Sequence, residues 1–164
     1  MRVGVVDIGT NSTRLLIADV DGTDVEQIER RTTVNNLGRG VDHTNVLCSD
    51  AIDDACRVIA DYKARYEELG AERILAIATS AVRDADNGEA FIAELRERFA
   101  MDASLLTGEE EAHLTYLGAT AQRPGDETTL VFDIGGGSTE FVVGTAEADG
   151  VVSVDVGCVR LAEA

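Results

Sequence analysis

Asp7-Ile8-Gly9-Thr10-Asn11-Ser12-Thr13 links the apolar run 2–7 to the apolar run 14–20, and the arrangement returns at Asp133-Ile134-Gly135-Gly136-Gly137-Ser138-Thr139. The two stretches share their Asp, Ile, Gly and closing Ser-Thr, and each reads as a strand, a tight loop and a second strand. Each places a carboxylate at the end of a buried strand and follows it with small residues whose backbone N–H groups can approach an anion closely. Facing each other, two such loops would hold a phosphate chain between them. Asp7 and Asp133 would repel that chain directly, so the arrangement calls for a divalent cation between acid and phosphate. Mg²⁺ is expected, because it takes one or two carboxylates plus waters and phosphate oxygens. The alternative is a pair of hairpins that use Gly, Asn and Ser only for turn geometry.

Outward from these loops, Asp21-Gly22 signals a hairpin into a third strand near 24–32. Between Ser49, read as N-cap, and Gly70, read as terminator, Ile52, Ala55, Cys56, Ile59, Tyr62, Tyr66 and Leu69 recur at helical spacing. A buried strand follows at 73–78. A helix around 88–99 then carries Phe91, Ile92, Leu95 and Phe99 on its inner face, and a short strand occupies 103–106. Thr107-Gly108-Glu109-Glu110 fits a capping box opening a helix to about Gln122, with Ala112, Tyr116 and Ala119 inward. The predicted order is βββαβαβα, an α/β fold with a mixed sheet. A hinge is expected at Arg123–Glu127, around the single proline, Pro124. Strands at 129–134 and 139–144, then a turn at Ala148-Asp149-Gly150 into 151–156, open a second unit. The expected organisation is a first domain over 1–124 and a truncated second one over 125–164. Because that second βββ unit would have no helix to cover it, the sequence reads as part of a longer protein.

Composition limits the partners. The 164 residues carry 14 Lys+Arg against 31 Asp+Glu, a net charge of −17, and Lys63 is the only lysine. Such a field repels nucleic acid and other polyanions at long range, so no nucleic-acid role is expected, while anions held locally remain compatible. No window approaches the ~18 apolar residues of a membrane span, and Asp7 interrupts any signal-peptide core, so neither membrane nor export is expected. Cys48, Cys56 and Cys158 are odd in number, widely spaced and in no Cys-x-x-Cys pair, which argues against a disulfide framework or a zinc site. A reducing, cytoplasmic setting follows.

Among the titratable residues, Glu109 and Glu110 are explained by the helix dipole and the capping box. Glu111 lies on a different face, and its residue type and position fit either a base or a solvated surface charge. Arg14 and Arg83 each follow a loop or strand end, where they could fork onto phosphate oxygens or pair with an acid. His113 reads as a helix-surface residue, and His43 has no partner at ligand spacing.

Four stretches carry a resemblance: Val5–Ser12, Ala78-Thr79-Ser80-Ala81-Val82-Arg83, Leu106–Ala112 and Phe132–Glu140. In this order they resemble the exopolyphosphatase and guanosine pentaphosphate phosphohydrolase family, part of the actin, Hsp70 and sugar-kinase superfamily of paired RNase H-like domains. The resemblance implies hydrolysis of a phosphoanhydride, releasing orthophosphate from the end of polyphosphate or the γ-phosphate of pppGpp. It implies Mg²⁺, with Mn²⁺ as a substitute, and allows for a homodimer. It makes Glu111 the catalytic glutamate that orients or deprotonates water, and Arg83 a phosphate-contacting partner. Asp7, Asp133 and Glu140 become the metal-associated acids. Gly9, Thr10, Asn11, Ser12 and Arg14 become the first phosphate loop, and Gly135, Gly136, Gly137, Ser138 and Thr139 the second. The competing readings are a sugar- or acetate-kinase-like phosphotransferase and a non-enzymatic actin- or Hsp70-like module.

Overall fold

The structure, a computed structural model, describes residues 1–123 and 125–164; Pro124, within the hinge expected over 123–127, lies outside the described residues. Strands β1 (Arg2–Ile8), β2 (Ser12–Asp21) and β3 (Asp24–Val34) form an antiparallel meander, and β4 (Arg73–Ala78) and β5 (Asp102–Leu105) extend it in parallel. The resulting mixed sheet has the order β3-β2-β1-β4-β5. Helices α2 (Ser49–Glu68) and α4 (Gly88–Phe99) supply Ala55, Ile59, Tyr62, Phe91, Ile92 and Leu95 to a core shared with Val6, Ile8, Leu15 and Ile17. Each large side chain buried in this way contributes roughly 1.5–3 kcal/mol. Strand alternation that sends Val6 and Ile8 into the core turns Asp7 to the opposite face of β1.

Two single-turn helices, α1 (Val41–Thr44) and α3 (Ser80–Arg83), were not anticipated, because four residues are too few for a helical period to register. The N-cap of α2 is Cys48 rather than Ser49: the Ile52 N–H donates to the Cys48 carbonyl at 3.0 Å, so Ser49 is already helical. Gly70, at φ 71°, ends that helix as expected.

The second sheet is the meander β6 (Thr129–Ile134), β7 (Thr139–Gly144) and β8 (Ala148–Val154). Ala148-Asp149-Gly150, read as a turn, lies inside β8. Gly144 pairs with Ala148, so the reversal falls on 145–147, where the Thr145 N–H donates to the Glu147 carbonyl at 3.2 Å. The expectation that this sheet lacks helical cover is also corrected. Helix α5 (Gly108–Thr120) lays Ala112 and Tyr116 against Val131, Val142 and Val151, while Ala119 points outward and is exposed. The opposite face presents Leu130, Phe132, Ile134, Phe141, Val143 and Val152 to solvent, with Phe132 and Phe141 edge to face at 5.3 Å. A short helix, α6 (Cys158–Glu163), follows the sheet and returns to the first one.

Candidate active site

The repeated sequence makes the same turn twice. The Gly9 N–H donates to the Ser12 carbonyl at 3.0 Å, and the Gly135 N–H to the Ser138 carbonyl at 2.9 Å. Asp7 stands opposite Arg14 across the first hairpin, and Asp133 opposite Glu140 across the second. The loops meet tip to tip. A Cβ added to Gly136 would lie 2.9 Å from Thr10 Cβ, and one added to Gly137 only 2.3 Å from Ser80 Oγ, so the second loop needs glycine to approach this closely. Together the hairpins line a cleft of about 370 Å³ that gathers Asp7, Gly9, Thr10, Asn11, Ser12 and Arg14 from one side. Asp133, Gly135, Gly136, Gly137, Ser138 and Glu140 face it from the other, and Glu111 also lines it.

The start of α5 places Glu111. Thr107 Oγ1 accepts the Glu110 N–H at 3.2 Å while the Glu110 carboxylate accepts the Thr107 N–H at 2.8 Å, which completes the capping box. Those bonds hold the Glu110 carboxyl below its usual range. The next residue falls on the cleft side, with its side chain only 18% exposed. Burial raises the Glu111 carboxyl to about 7, and Glu140 and Asp7 add to the rise. The neighbouring Arg83, whose Nη1 lies 3.3 Å from Glu111 Oε2, opposes it. Asp7 is also pushed up by burial, against the pull of Arg14 and with Asp133 adding its repulsion.

Two of the expected site residues lie elsewhere. Arg83 lines a neighbouring open groove rather than the cleft and reaches the site through Glu111 and the Leu106 carbonyl. Thr139 does not line the cleft; its hydroxyl donates to the Val156 carbonyl at 2.5 Å, a bond that ties β7 to the segment after β8. The cleft also takes in Thr79, Ser80, Thr115 and Cys158, none of them among the expected site residues. Thr115 follows Glu111 by one helical turn, a spacing that could have flagged it, and it donates to Asp133 Oδ2 at 3.1 Å. Nothing local to Cys158 marks it; it arrives because its N–H donates to the Gly135 carbonyl at 3.0 Å.

The donor set suits a hard cation. Four carboxylates (Asp7, Glu111, Asp133 and Glu140) share the cleft with hydroxyls and backbone amides, and Arg14 is the one basic residue in its wall among the described residues. Also among the described residues, no three acidic, His or Cys side chains converge closely enough to hold a metal on their own. One or two carboxylates completed by substrate oxygens and water is the coordination that hard, strongly hydrated cations accept.

A family model described as the Ppx/GppA phosphatase family matches residues 16–164. Exopolyphosphatase 2 of Mycobacterium tuberculosis is 38% identical over 172 residues, covering 99% of this chain and 54% of its own length. The crystal structure of an exopolyphosphatase from Cytophaga hutchinsonii aligns at TM-score 0.92 and 30% identity, over 99% of this chain and 53% of that one. A Ppx/GppA family member from Aquifex aeolicus aligns at TM-score 0.85 and 34% identity, over 99% and 54%. At 14% identity, MreB5 of Spiroplasma citri bound to ADP aligns at TM-score 0.53 over 95% of this chain and 52% of that one, a likeness of fold alone. The chain spans about half the length of the curated relatives it matches.

Proposed function

The chain belongs to the Ppx/GppA phosphatase family, and from that premise we propose that its cleft hydrolyses a terminal phosphoanhydride, releasing orthophosphate from the end of inorganic polyphosphate. The observation that carries this reading is Glu111, a half-buried carboxyl raised to about 7 that lines the cleft formed by the two hairpins. Phosphoryl transfer asks a protein mainly to align the nucleophile and stabilise charge on the phosphate oxygens. The backbone N–H groups of Gly136 and Gly137 and of Thr10 and Asn11, with Arg14, bind the phosphate oxygens. Glu111 accepts a proton from the attacking water, a task suited to a base that titrates near neutral pH. Arg83 holds the Glu111 carboxylate from behind. One or two of Asp7, Asp133 and Glu140, completed by water and substrate oxygens, would hold Mg²⁺ or Mn²⁺, which would supply charge neutralisation on the phosphate when bound.

The γ-phosphate of pppGpp presents the same bond, and the loops contact phosphate rather than base, so it is a second substrate under this reading. Phosphate release from long-chain polyphosphate and from pppGpp, measured side by side with MgCl₂ or MnCl₂ and no acceptor, tests it. Release from neither, or release only with a hydroxyl acceptor present, would overturn the hydrolase reading in favour of a phosphotransferase.

A further inference from the structure

Helix α6 carries the chain from the second sheet back to the first, and Arg160 is its anchor. Arg160 Nη2 donates to Asp84 Oδ2 at 2.6 Å, Nη1 donates to Asp42 Oδ1, and Nε donates to the Gly137 carbonyl at 2.9 Å. One guanidinium thus joins α1, the residue that closes α3, and the tip of the second glycine loop. The backbone beneath it is equally committed: the N–H groups of Cys158 and Val159 donate to the carbonyls of Gly135 and Gly136 at 3.0 and 2.9 Å. A Cβ on Gly157 would fall 2.3 Å from the Gly136 carbonyl carbon, so the approach leaves no room for a side chain. Asp84 in turn accepts from Ser80 Oγ at 3.3 Å, and Ser80 is the residue against which Gly137 packs.

We propose that Arg160 is a positioning residue: its three-pronged clamp sets the second glycine loop against the first hairpin and thereby fixes the width of the anion cleft. Arg160 does not itself line that cleft. Arginine spreads its donors over three nitrogens of a rigid fork, so each acceptor here has its own nitrogen, whereas lysine gathers its three donors on one compact nitrogen. The three charged side chains are 22%, 31% and 29% exposed, so salt screens them less than a surface pair. In a chain of charge −17, removing the arginine leaves Asp42 and Asp84 to repel each other and frees the loop they help to hold. The clamp rests on geometry alone; its consequence for anion binding rests on the phosphoanhydride reading above.

The test uses the 164-residue chain with Arg160→Gln, Arg160→Lys and the milder Asp84→Asn, read by amide hydrogen exchange and by calorimetric titration with inorganic tripolyphosphate in MgCl₂. In Arg160→Gln, the amides of Gly135, Cys158 and Val159 should exchange about tenfold faster or more, while those of β1 and β2 keep their protection. Tripolyphosphate affinity should fall about tenfold with the same variant. Arg160→Lys should behave like Arg160→Gln, because an ammonium cannot span three acceptors, and Asp84→Asn should move both readouts part of the way. Unchanged exchange at those three amides would overturn the proposal, as would unchanged affinity in a chain that binds tripolyphosphate. A wild-type chain that fails to bind tripolyphosphate counts against the phosphate reading alone, and the exchange result then decides the clamp.

Discussion

Arg83 Nη1 is shared between Glu111 Oε2, at 3.3 Å, and the Leu106 carbonyl, at 2.9 Å. The bond to Leu106 fixes the cation independently of the carboxylate, so Arg83 restrains a rise in the Glu111 pKa that burial, Glu140 and Asp7 all promote. Arg83→Met removes the restraint. Because the base must be ionised to accept a proton, the acid limb of phosphate release should then move to higher pH by about one unit. A pH–rate profile whose acid limb stays in place would separate Arg83 from the titration of Glu111.

Glu111→Gln should lower turnover by ~10²-fold or more, the usual loss for a general base, while tripolyphosphate binding survives. The same variant has a stability signature with a definite sign. Between the ordinary carboxyl value of 4.5 and the folded value of about 7, the folded chain keeps a proton that the unfolded chain has released. Wild-type stability therefore falls as pH rises through that window, and the amide is spared this cost. Glu111→Gln should be more stable than wild type by ~1–3 kcal/mol at pH 8 and about equal to it near pH 4, by chemical denaturation at both pH values.

Two glycines should respond in opposite directions to alanine. Gly118 lies within α5 with nothing inside 4 Å of an added Cβ, so Gly118→Ala should stabilise the chain by about 0.5–1 kcal/mol. At Gly137 the new carbon would sit 2.3 Å from Ser80 Oγ and 2.9 Å from Thr10 Oγ1. Gly137→Ala should push the loops apart and weaken tripolyphosphate binding by at least about tenfold, a difference of ~1.4 kcal/mol. Equal binding by both variants would show that the loop contact does not set the site.

The charge of −17 makes a prediction that depends on ionic strength. Self-repulsion destabilises the folded chain, and it is screened beyond about 10 Å at 0.1 M salt and beyond about 3 Å at 1 M. The midpoint of thermal unfolding should therefore rise between 0.1 and 1 M KCl. A flat or falling midpoint would mean that the acids are already neutralised locally.

The sequence revealed most where chemistry and periodicity coincide. The repeated Asp-Ile-Gly pattern located both hairpins, because an acid, a large apolar residue and glycine at fixed offsets have few other uses. The capping box at Thr107 appears in the structure with both of its bonds, because it is a local interaction among four residues. What stayed hidden is tertiary. Ala112 and Tyr116 mark an apolar face of α5, but nothing in their spacing says which sheet it covers. Thr139 looks like a loop residue until the Val156 carbonyl is found beside it. Arg160 looks like any surface arginine, since Asp42 and Asp84 lie 118 and 76 residues away.

The twin turns are alike in backbone yet carry opposite signs at one matched position: Asp7 is faced by Arg14, Asp133 by Glu140. One turn brings its own counterion, and the other must borrow one. The basic side chain of the cavity wall, among the described residues, thus stands on the first turn's side alone. Two turns alike in backbone, unlike in charge at the Arg14/Glu140 pair, give the cleft two different walls.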